Sequence, residues 1–239
     1  MGKKHIHFIS IDKSGDEDMK NMSQNFMDKS KEENLNNPNI TITIEDKEQK
    51  IEDISIPTST TELVISAHSK FFKSGGTGSA APMSEYVKGK DSRHIGEYQL
   101  GEIAKFIEDQ LRRSPNLKQV KFQSCETALK KDGDKEWGKN TYGKKDRKID
   151  VDPDGWEGSV IKNNVTEFKL DDAMLNTVKK KIGKKEFDQI SNVEYIISKV
   201  YEAVHKDSKF KHRNMFFQGV YGVGYVDPQN KTMKTFDSI

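Results

Sequence analysis

The stretch from Leu63 to Gln123 constrains the fold more than any other part of the chain. It opens on LVIS (63–66), a continuous apolar run, and closes on QVKFQ (119–123). A short run that is apolar at every position suits a parallel strand covered on both faces. Between the two, Leu100, Ile103, Ala104, Ile107 and Leu111 recur at helical spacing, and Pro115 and Asn116 end the pattern. Strand, helix of about four turns and strand make a βαβ unit, with its two strands parallel in one sheet. The residues just beyond those strands then share one edge. Open α/β sheets assemble their sites at that carboxyl edge. Here the edge receives Ala67-His68-Ser69 and Ser124-Cys125-Glu126.

The flanking sequence extends this unit into one domain over residues 1–239. Residues 5–11 read as a first strand, with Ile6, Phe8 and Ile11 toward a core. Residues 15–35 are polar, with Met19, Met22, Phe26 and Met27 on one weak helical face. NITITI (39–44) alternates strictly and predicts a strand. Residues 47–56 are expected to return as the second arm of a hairpin. Residues 69–98 carry SGGTGSAAP and are expected to form a mobile loop. Residues 129–165 are charged and without period, so a polar surface insertion is expected there. Two helices follow, one on Ala173, Met174, Leu175, Val178 and Ile182, the other running from Phe187 to Val204. MFFQGVYGVGYV (215–226) predicts a long strand or glycine-kinked hairpin, with 231–236 as its partner, giving a C-terminal β-hairpin near 214–237.

Composition excludes several classes. Forty basic and 38 acidic residues leave a formal charge of +2, which gives no global case for nucleic-acid binding. No run approaches the roughly 20 apolar residues of a membrane helix, so no membrane insertion is expected. A single cysteine rules out an intramolecular disulfide and points to a reducing, aqueous compartment. The opening MGKKHIHFISIDK alternates like a strand and lacks a signal-type apolar stretch. The expected location is the cytoplasm, or a host cytosol reached without a classical signal peptide.

The chemistry centres on Cys125. A thiolate attacks a carbonyl, and a nearby imidazole lowers the thiol's pKa or takes its proton. Alone, a lone cysteine is more often a buried structural residue, and His68 alone is more often a loop or capping histidine. The βαβ unit brings them to one edge. Their separation of 57 residues is close to the roughly 50 by which histidine precedes cysteine in caspases.

With LVISAHS (63–69), VKFQSCETA (120–128) and the helix between them, the chain resembles the caspase-like (clan CD) cysteine peptidases. That group includes caspases, legumain, gingipain, separase, clostripain and the cysteine peptidase domains of large bacterial toxins, to which it is most similar. The match covers residues 1–128; beyond that it rests on strand order. The resemblance implies a caspase-like three-layer α/β sandwich, with a mostly parallel central sheet and helices on both faces. It implies a cysteine endopeptidase acting on protein or peptide substrates, with self-processing and a role as a secreted bacterial effector or toxin as further expectations. Cys125 would be the nucleophile, His68 the proton shuttle, and the amides of Ser69 and Cys125 the oxyanion donors. The family usually has glycine after the histidine; Ser69 keeps the amide but restricts the backbone. The alternative is a catalytically inactive domain of this fold that binds a protein or polyanion. No cofactor is required. Because the toxin domains are activated by inositol hexakisphosphate, Lys179, Lys180, Lys181, Lys184 and Lys185 are the candidate polyanion site; a solvated lysine-rich helix face is the plainer reading.

Three weaker patterns complete the reading. Asp150, Asp152, Asp154 and Gly155 resemble the opening of an EF-hand loop, but Ile161 stands where the bidentate glutamate belongs, and an acidic turn explains them better. SGGTGS (74–79) lacks the Lys-Ser/Thr of a phosphate loop and is read as a lid over the substrate cleft. His5 and His7 have no accompanying ligand cluster, so no metal site is expected.

Overall fold

The structure is a computed structural model describing residues 3–11, 24, 27–28, 30–45, 50–67, 86–87, 90–91, 94–95, 98–124, 165–186, 189–204, 207, 215–220, 224–227 and 232–235. In chain order its elements begin with β1 (Lys4–Ser10), β2 (Ile40–Ile44), a 3-10 turn (Ile51–Asp53) and β3 (Glu62–Ser66). The two-residue strands β4 (Tyr86–Val87), β5 (Lys90–Asp91), β6 (His94–Ile95) and β7 (Tyr98–Gln99) lead to helix α1 (Leu100–Arg113). β8 (Gln119–Gln123), β9 (Val165–Lys169), α2 (Asp172–Gly183) and α3 (Asn192–Val204) follow. β10 (Phe216–Val220), β11 (Gly224–Asp227) and β12 (Thr232–Thr235) complete the series.

Six strands form the central sheet in the order β2-β1-β3-β8-β10-β9. All neighbours are parallel except β9, which closes its edge antiparallel to β10. The molecule is therefore mixed α/β with a mostly parallel sheet. Period-two alternation divides the side chains between two faces. On one face Ile9, Leu63, Ile65, Val120, Phe122 and Phe217 pack against α1 and α3. α1 supplies Leu100, Ile103, Ile107 and Leu111, the stripe its sequence spacing predicts. On the other face Ile6, Phe8 and Val64 meet Met27, which lies among the helical residues 27, 28 and 30–33. Helical residues thus touch both faces.

The helix ends are set by local sequence. The Gln99 amide donates to Glu102 Oε2 (2.8 Å) at the start of α1. Asp171 accepts from the Met174 amide (2.9 Å) at the start of α2. Ser191 and Glu194 form a reciprocal capping box at the start of α3: Ser191 N donates to Glu194 Oε2 (2.8 Å), and Glu194 N to Ser191 Oγ (3.2 Å). That box is why the last helix starts at Asn192 and leaves Ile190 outside it, five residues later than its apolar pattern suggests.

Several sequence expectations change. Of the expected hairpin arm over 47–56, residues 47–49 lie outside the described residues, and 50–56 contain no strand; β2 pairs in parallel with β1. Ile51, Ile54 and Ile56 enter the main core instead. The side chain of Gln110 on α1 takes the place of a neighbouring strand: Ile56 N donates to its Oε1 (3.1 Å), and its Nε2 donates to Ile54 O (3.0 Å). The segment 69–98 is not wholly a loop. Its later part forms β4 to β7, and Ile95 and Tyr98 are buried in the main core. β9 was not expected; it begins at Val165, inside the limit set for the insertion. At the C-terminus β10 belongs to the central sheet, so the hairpin is narrower, pairing β11 with β12.

Candidate site at the carboxyl edge of the sheet

β3 and β8 are adjacent, hydrogen-bonded and parallel, as the βαβ reading requires. Their register runs from Glu62 opposite Gln119 to Ser66 opposite Gln123. β1 ends at the same level, with Ser10 opposite Ser66. The last residue of β3 is held from both sides: Ile11 N donates to Ser66 O (3.1 Å), and Ser66 Oγ donates to Gln123 Oε1 (3.1 Å). Ala67 and Ser124, the next positions, are both buried. His68, Ser69, Cys125 and Glu126 lie outside the described residues, as do the SGGTGS and DxDxDG segments.

The face that carries Ser66 and Gln123 is polar along β3 and β8. Glu62 is buried and receives Lys4 Nζ at 2.8 Å and Lys121 Nζ at 2.5 Å. Both lysines reach water, so the carboxylate is paired without two cations being buried with it.

The candidate polyanion lysines occupy the C-terminal half of α2 and the turn after it. Lys179, Lys180, Lys184 and Lys185 are exposed. Lys179 pairs with Glu202 (3.5 Å), Lys184 lies 3.9 Å from Glu186, and Lys181 Nζ donates to Gln189 O (2.7 Å). Lys185 adopts φ 59°, and the amides of Lys185 and Glu186 return to the carbonyls of Ile182 and Lys181. This closes the helix, and lysines in its last turn offset the negative end of its dipole.

Two features escaped the sequence reading. His5 and His7 are both buried, with ring nitrogens 2.7 to 2.8 Å from Thr43 and Ser59 hydroxyls. Burial lowers both imidazoles, and the neighbouring His5 adds to the effect on His7, which falls to about 4. The strict Ile/Thr alternation of β2 was the available signal, since it puts threonines opposite both histidines. The second feature is a groove of about 400 Å³ beside α1, lined by Ile51, Glu52, Gln99, Glu102, Lys105 and Phe106 among others. Its Lys105 pairs with Asp109 (2.9 Å), and its lining includes no residue of the β3–β8 edge.

Among the described residues no three His, Cys, Asp or Glu side chains gather into a metal-binding group, and no helix is long and apolar enough to cross a membrane. No known protein family, no curated protein and no solved structure matches the chain.

Proposed function

We propose that this chain is a cysteine endopeptidase of caspase-like fold, working at the carboxyl edge of β3 and β8 with Cys125 as nucleophile and His68 as proton shuttle. One observation carries the reading. Every β3 residue faces the β8 residue 57 positions further on, and 57 is also the separation of His68 and Cys125. The same register, continued by two residues, would set the pair opposite one another. The mostly parallel sheet with helical residues against both faces supports the fold part of the proposal.

In the proposed reaction the Cys125 sulfur, its proton passing to His68, attacks the carbonyl carbon of a peptide bond. The oxyanion is held by the amides of Ser69 and Cys125. The imidazolium of His68 gives its proton to the leaving nitrogen as the C–N bond breaks, leaving a thioester on Cys125. Water then attacks the thioester carbonyl. His68 takes the water's proton, and the thiol is released with the carboxylic acid product. A reducing compartment, either the cytoplasm or a host cytosol, suits a nucleophile that is the only thiol in the chain.

The test is digestion of a proteome-derived peptide library, read by mass spectrometry, with wild type, Cys125→Ala and His68→Ala. The expected result is a defined set of cleavages, reduced at least about 1,000-fold in either variant. Identical cleavage by Cys125→Ala would overturn the assignment. A second readout uses the lone thiol: alkylation of folded Cys125 should titrate differently in wild type and His68→Ala.

The second reading is an inactive domain that binds a polyanion such as inositol hexakisphosphate. The exposure of Lys179, Lys180, Lys184 and Lys185 favours it. An unchanged melting temperature with inositol hexakisphosphate, at concentrations where a basic site would fill, would count against it.

A further inference from the structure

We infer that His7, Thr43 and His5 form a one-directional hydrogen-bond relay that requires both imidazoles to be neutral, making the pairing of edge strand β2 with β1 an acid-sensitive clasp. The geometry is specific. Thr43 Oγ1 lies 2.7 Å from His7 Nδ1 and 2.7 Å from His5 Nε2, and His5 Nδ1 lies 2.8 Å from Ser59 Oγ. His7 Nε2 is buried with no hydrogen-bond partner among the described residues.

That last atom fixes the direction. A hydroxyl has one proton, and two ring nitrogens lie within reach of it. If Thr43 donated to His7 Nδ1, the neutral His7 ring would carry its proton on Nε2, as a buried N–H with no acceptor. Orphaned buried N–H groups are rarer than under-satisfied acceptors. The arrangement that uses every donor has His7 Nδ1–H donating to Thr43 Oγ1, Thr43 Oγ1–H donating to His5 Nε2, and His5 Nδ1–H donating to the exposed Ser59 hydroxyl. Both rings are then in the Nδ1–H form.

Protonation defeats this order. A proton added to His7 lands on buried Nε2, and one added to His5 lands on Nε2, where it opposes the Thr43 donor. Among the described residues no carboxylate acts on either ring. β2 presents Thr41 and Thr43 to this side, β3 presents Leu63, and the segment before β3 presents Ser59 and Thr61. Glu45 follows β2 and Lys4 precedes His5, while Glu62 is engaged by Lys4 and Lys121. Among the described residues the charge acting on His7 is that of His5, which repels it. Peeling β2 from β1 hydrates both rings and restores ordinary titration.

Long-range ¹⁵N–¹H correlation spectroscopy of the folded protein at pH 7 tests the relay directly. The expected result is Nδ1–H for both rings; Nε2–H on His7, or a charged His7 at pH 6, would overturn it. Hydrogen exchange tests the clasp. With His7 at about 4 folded and 6.5 when hydrated, the protection factors of the β2 amides should fall about 20-fold between pH 7 and pH 5. Those of α1 should change less. His7→Phe, which cannot titrate, should remove the pH dependence. An equal fall in His7→Phe, or no greater fall in β2 than in α1, would overturn the clasp.

Discussion

The two faces of the sheet are built on different physics. The face under α1 and α3 is apolar across four strands, from Ile9 through Ile65 to Phe122, with Phe217 beyond. On the opposite face the buried apolar cluster among the described residues lies over β2, β1 and the middle of β3. Along β3 and β8 it carries Glu62 with its two lysines and the Ser66–Gln123 hydrogen bond. The first face stabilises the fold through excluded water and close packing, which tolerate no missing volume. The second has polar groups that exchange protein partners for water at smaller cost.

Substitutions can break this comparison. The largest effect is expected on the apolar face. Phe122→Ala removes a fully buried ring and should cost about 3–5 kcal/mol in urea unfolding; a cost below about 1 kcal/mol would mean that this face is not the main core. The next effect lies where that face turns polar, at His5 and His7. The folded His7 ring is held at about 4 against 6.5 unfolded, so its neutral form contributes full stability above pH 6.5. That contribution drains as pH falls from 6.5 to 4. At about 1.4 kcal/mol per pH unit the loss is about 3 kcal/mol. Unfolding curves of wild type and His7→Phe across pH 7 to 4 measure it as the difference between their slopes. The smallest effect is expected on the polar face. Glu62→Ala should cost about 1–2 kcal/mol, because the Lys4 and Lys121 ammonium groups it leaves behind reach water. A cost matching Phe122→Ala would erase the distinction between the faces.

The parts of the fold legible in the sequence are those where one physical signal acts alone. LVIS gave β3 because a strand covered on both faces among parallel neighbours must be apolar, and QVKFQ gave β8 because Val120 and Phe122 alternate with polar residues. The stripe from Leu100 to Leu111 gave α1 because no competing period is present. β9 was missed because its sequence, VTEFK, mixes charged with apolar residues over only five positions, as edge strands do. Residues 51–56 misled because Ile51, Ile54 and Ile56 suit a strand, whereas the backbone of Ile54 and Ile56 is partnered by the Gln110 amide, a side chain 54 to 56 residues away, and the Ile51 amide by the Tyr98 hydroxyl. The histidines of β1 escaped notice as a buried pair because imidazoles there depend on threonines of another strand. For the candidate site, sequence identified the edge and the strand pairing; the described chain reaches it at Ala67 and Ser124.

Gln110 also bears on how the molecule comes apart. Its side chain fastens the 54–56 segment to α1 with one donor and one acceptor, while Ile51 N donates to the Tyr98 hydroxyl just before that helix. Among the described residues, the 51–56 stretch hydrogen-bonds to α1 and its lead-in and to no strand of the central sheet. It is predisposed to open and close with α1 as a single cooperative unit, joining stretches about fifty residues apart in the chain into one foldon.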